Sequence, residues 1–121
     1  MTPVETLREA AGLMRRRAQA AIEGPWEAIH DEDTGDVSVR PVDDDPDFYI
    51  EVASTTQWPD HLDRSPTGDH IASWHPAVAL AVADWLEATA SGLSPERMSL
   101  SENGPYAQGA LAVARAYLGK S

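Results

Sequence analysis

The chain has 121 residues, with 20 acids against 9 bases, a formal net charge of −11 and no cysteine. Disulfides and thiolate metal sites are therefore excluded, and the negative charge argues against sequence-independent binding to nucleic acid, itself a polyanion. This length suits one domain that buries roughly two-thirds of the surface its unfolded form exposes. No apolar run approaches the ~20 residues of a bilayer span, and the N-terminus lacks a signal-peptide core, so a cytoplasmic protein is expected.

Thr2-Pro3-Val4-Glu5 predicts a helix start, with Thr2 as cap, Pro3 at the first helical position and Glu5 placed for a capping box. The helix is expected to reach about Ile22, with Val4, Leu7, Ala11, Met14, Ala18 and Ala21 as a seam that docks on another helix or self-associates. Arg15, Arg16 and Arg17 fan around this helix. They suit a solvated surface or an internal clamp on acidic residues; a phosphate site would want a glycine-rich loop nearby.

Gly24-Pro25 ends the helix and turns the chain. Trp26–His30 alternates as a strand, Asp31–Asp36 is turn material, and Val37–Val42 alternates again with Pro41 at a strand end or edge. Asp43–Asp47 is a second acidic turn before a third strand at Phe48–Ala53. The product is an antiparallel meander. The charge is uneven along these stretches: residues 31 to 47 hold eight acids and only Arg40.

Ser54–Gly68 reads as a long loop with Trp58-Pro59 at its middle, a length that marks a candidate for function. Asp69–Trp74 makes a short helical turn. Pro76 then opens a strongly apolar helix to Ser91 that Gly92 stops. Val78, Val82, Trp85 and Thr89 form one stripe with Leu80, Ala83 and Leu86 beside it, a width that predicts a central core helix. Ser94-Pro95-Glu96 suits a short turn. A last helix runs from Asn103-Gly104-Pro105 to about Leu118, with Tyr106, Ala110, Val113 and Tyr117 on one stripe and Ala107, Leu111, Ala114 and Leu118 beside it. The expected architecture is α+β: N-terminal helix, three-stranded antiparallel meander, central buried helix and C-terminal helix packed on one face of the sheet.

Candidate chemistry is sparse. Asp33-Thr34-Gly35 carries the aspartic-protease triplet, but its charged flanks fit a hairpin turn. Asp31, Asp33 and Asp36 around Gly35 resemble part of a calcium loop, yet an EF-hand counted from Asp31 fails at its sixth and twelfth positions. His61, Asp69, His70 and His75 gather metal-ligating and general-base residue types without a recognised spacing. Trp58, His70, Trp74 and His75 are candidates to line a small-molecule or nucleotide pocket beneath residues 54–75; a hydrolase using His70 or His75 is a third reading. No nucleophile elbow, phosphate-cradling loop or zinc-binding helix motif occurs, and no cofactor is expected. The acids Asp31, Asp33, Asp36, Asp43, Asp44, Asp45 and Asp47 are the candidate partner-binding surface, suited to a basic protein. Acidic turns also keep small proteins soluble and blunt sheet edges.

Gly24-Pro25-Trp26 after an N-terminal helix, and Asp69-His70-Ile71-Ala72 before a helix opened by Pro76, together resemble the small ead-type early accessory proteins of phages and prophages and similar actinobacterial chains. The resemblance spans about residues 3–91. It implies the same order of elements and a phage-type accessory role, a protein that binds a host or phage protein rather than catalysing a reaction. It carries over no catalytic residue. His75 stands where that family often has Asn before the proline.

Overall fold

The computed structural model describes residues 1–42, 51–55, 65–97 and 99–119. It is α+β, with α1 (Pro3–Ala20), β1 (Trp26–His30), β2 (Val37–Pro41), β3 (Ala53–Thr55), α2 (Ser65–Ser73), α3 (Pro76–Leu93) and α4 (Pro105–Tyr117) in chain order. The strands form an antiparallel sheet in the order β1-β2-β3, as the alternation predicts. The chain divides into two compact units: residues 1–18 with 79–121, and residues 19–78.

The first unit is helical. Thr2 caps α1, its hydroxyl accepting the Glu5 N–H at 3.1 Å, while the Thr2 carbonyl accepts both the backbone N–H and the hydroxyl of Thr6. Leu7, Ala10, Ala11 and Met14 of α1, Ala83, Leu86 and Ala90 of α3, and Ala110, Leu111 and Ala114 of α4 form one buried cluster. Six of these ten are alanines, so the helices meet with little side-chain bulk between them, and Leu7, Met14, Leu86 and Leu111 fill the larger spaces. Ala21 lies beyond the end of α1 and is exposed.

Two expected stripes are corrected here. α3 buries one face, at Ala79, Ala83, Leu86 and Ala90, and leaves Trp85 44% exposed. On α4 the buried face is Ala107, Ala110, Leu111 and Ala114, while Tyr106 is exposed. In both helices bulk pointed to one side, whereas the small residues on the neighbouring side allow the close approach. Gly92 ends α3 for a packing reason: Leu100 folds back to donate its N–H to the Gly92 carbonyl at 3.0 Å, and a β-carbon on Gly92 would meet Leu100 Cδ1 at 2.7 Å.

The second unit is the sheet with α2. Val37 and Val39 alternate with Ser38 and Arg40, and only the valines are fully buried. Gly68 of α2 seats against the Val37 side chain, so α2 covers the valine face and Ser38 and Arg40 occupy the opposite, open face. Trp26 ties the start of β1 to the end of the preceding segment, its indole N–H donating to the Ile22 carbonyl at 3.0 Å.

Two further expectations change. The residues expected to close a long loop instead start α2 at Ser65, with Pro66 in its first turn, where its missing N–H costs nothing. Gly68 misled because glycine is a poor helix former; its place here is set by its closeness to Val37. The third strand is Ala53–Thr55, residues 51–52 are not strand, and Phe48 to Ile50 lie outside the described residues. Aromatic and β-branched propensity pointed to Phe48–Ala53, but pairing with Val37–Val39 selects the segment just after it.

Candidate functional site

The β1–β2 hairpin turn explains its own aspartates. The Asp31 carboxylate accepts the N–H groups of Asp33 (2.9 Å) and Thr34 (3.4 Å), the Thr34 hydroxyl accepts that of Asp36, and Gly35 takes a positive φ of 78°. Side-chain oxygens thus satisfy backbone donors that the strand ladder does not reach. Asp31 and Asp33 are exposed and Asp36 is half-buried. Among the described residues no group of three or more His, Asp or Glu side chains could hold a metal ion, so the aspartates read as a calcium loop act as a turn.

His30 and Asp69 join the sheet to α2, with His30 Nε2 3.0 Å from Asp69 Oδ1. The expected cluster of Asp69, His70 and His75 is therefore not assembled: Asp69 turns to β1, and His70 is exposed on α2, where its carbonyl accepts the Ser73 hydroxyl at 2.7 Å. His75 points at the Gly24-Pro25 turn. A β-carbon on Gly24 would lie 3.1 Å from His75 Nδ1 and 3.3 Å from Pro76 Cδ. That nitrogen is buried without a hydrogen-bond partner among the described residues. The two short motifs that carry the family resemblance thus pack on each other through Gly24, His75 and Pro76. Trp74 is exposed at the end of α2. Trp58, His61, Asp43, Asp44, Asp45 and Asp47 lie outside the described residues.

The arginines of α1 find acids on α3, not on the acidic turns. Arg15 reaches Asp84 at 3.1 Å and Glu87 at 3.8 Å, and Arg8 reaches Glu87 at 3.4 Å. Arg17 lies over the Tyr117 ring, 5.4 Å from its centroid. These pairs are half-exposed and screened by solvent, so they orient helices more than they stabilise them.

A hollow of about 540 Å³ opens on the sheet unit, lined among others by Ile29, Asp31, Asp36, Ser38, Glu51 and Ser54. Its floor follows from the register. Ile29 of β1, Ser38 of β2 and Ser54 of β3 lie in one cross-strand row, so two small hydroxyl side chains leave a depression beside one large apolar one. Ser38 donates to Glu51 Oε2 at 2.8 Å and accepts the Arg40 Nε–H at 3.0 Å, which fixes the walls of the hollow. Sequence reasoning missed Ser38, Ser54 and Glu51, although the Val37-Ser38-Val39-Arg40 alternation already separates the two sheet faces.

Compared with family models, curated proteins and solved structures, the chain matches none. Among the described residues no helix is long and apolar enough to cross a membrane.

Proposed function

We propose that this chain is a non-enzymatic, phage- or prophage-type accessory protein of the cytoplasm that binds a basic host or phage protein through its acidic sheet unit. The observation that carries the reading is the segregation of charge. Residues 19–78 hold fourteen acids against two bases, a balance of −12, whereas residues 1–18 and 79–121 hold six acids against seven bases, a balance of +1. The helical core and its Arg–acid pairs involve none of the acids of the sheet unit. Clustered like charges repel one another and add nothing to folding, so their concentration in one unit is accounted for by recognition.

The test is a pull-down from host lysate with the parent chain and with a variant carrying Asp43→Asn, Asp44→Asn, Asp45→Asn and Asp47→Asn, followed by mass spectrometry. A basic protein retained by the parent and lost from the variant or at raised salt supports the reading. Partners that are acidic, or that the variant retains equally, overturn it.

A further inference from the structure

We infer that the hollow on the open sheet face receives an arginine side chain of the basic partner. The inference rests on the function proposed above and adds the point of contact. The walls are chemically divided. Ile29, 37% exposed, offers an apolar side against which an aliphatic stem can lie, while Glu51 and the hairpin acids Asp31, Glu32 and Asp36 stand at the other side.

Arg40 is the one arginine or lysine lining the hollow, and its Nε–H is held by Ser38. The lining therefore keeps an excess of negative charge that a cation would complement. The Ser38 hydroxyl donates to one Glu51 oxygen, Oε2. A planar guanidinium presents five donors in a fixed fork and meets carboxylate and hydroxyl oxygens at once, whereas an ammonium is a compact and strongly hydrated point charge. Because the floor is shallow and made of two hydroxyls and an aliphatic side chain, a flat group fits it better than a round one. Arginine is also the charged residue most often found at the energetic centre of interfaces.

The experiment is an amide-resolved NMR titration of the full chain with the capped tripeptides acetyl-Gly-Arg-Gly-amide and acetyl-Gly-Lys-Gly-amide at matched ionic strength. Saturable shifts at the amides of Ile29, Ser38 and Ser54, with the arginine peptide binding more tightly than the lysine peptide, are expected. Glu51→Gln keeps an oxygen for the Ser38 hydroxyl but removes the charge, and should weaken the arginine peptide by about tenfold, the scale of one charge-assisted hydrogen bond. Ile29→Ser, a change at an exposed position that leaves the fold intact, should also weaken it. Shifts spread evenly over exposed acids, equal binding of the two peptides, or indifference to Glu51→Gln would each overturn the inference. The wider acidic-surface reading is tested separately by the salt dependence of partner association, so the two fail distinguishably.

Discussion

Gly68 of α2 lies so close to Val37 of β2 that a β-carbon on the glycine would overlap Val37 Cγ1 and sit 3.0 Å from Val37 Cβ. A β-branched side chain has little freedom to move away. Gly68→Ala should therefore incur the roughly 1–3 kcal/mol of overpacking, offset by the ~1 kcal/mol that alanine gains over glycine in a helix. A net loss of about 1–2 kcal/mol in denaturant unfolding is expected. In a Val37→Ala background the same substitution should be neutral or stabilising; an equal loss in both backgrounds would show that the close approach is not the cause.

The amphipathic reading of α3 separates two neighbouring residues. Leu86 is fully buried and Trp85 is 44% exposed, so Leu86→Ala should cost about 2–5 kcal/mol. Trp85→Ala, although it removes the larger side chain, should cost less. Equal losses in chemical denaturation would contradict the assignment of the buried face.

For the pairing of Arg15 with Asp84, whose carboxylate side chain is 77% exposed, a double-mutant cycle to alanine should give a coupling of about 0.2–1 kcal/mol, decreasing as salt is raised. A coupling well above that range would mean that the pair is shielded from solvent.

Gly35, at φ 78°, sits where L side chains are strained. Gly35→Val should destabilise by about 1–3 kcal/mol and Gly35→Asn by less, because asparagine tolerates the left-handed region. Thermal unfolding of the two variants decides the order.

Periodicity and helix punctuation made much of this fold legible. Pro3, Pro76 and Pro105 each open a helix where the sequence places them, and Trp26–His30 is the strand expected there. What escaped was set by contacts distant in sequence. Gly68 looks like a loop residue until Val37 is seen beside it, and the third strand was displaced because register with Val37–Val39 outweighs the propensity of Phe48–Ala53. The hollow depends on Ile29, Ser38 and Ser54 falling in one row, which a misplaced third strand conceals. His30 and Asp69 are separated by thirty-nine positions, and neither carries a local signal for the other. The acidic bias itself was readable directly, because charge is a property of composition; its confinement to residues 19–78 needed the division of the chain.

The central claim, recognition of a basic partner by the acidic unit, is tested most directly by stopped-flow association with the partner identified by pull-down. Rates are measured for the parent and for the variant carrying Asp43→Asn, Asp44→Asn, Asp45→Asn and Asp47→Asn, from low to physiological salt. Exposed charges are screened beyond about 8–10 Å at physiological ionic strength, and steering by a charged surface raises on-rates by about 10-fold or more. The parent should associate at least about tenfold faster at low salt than at physiological salt, and the variant should be slower with a shallower salt dependence. The variant's melting temperature should be unchanged or higher. A variant that binds the same partner as fast and as tightly as the parent at low salt would contradict the account.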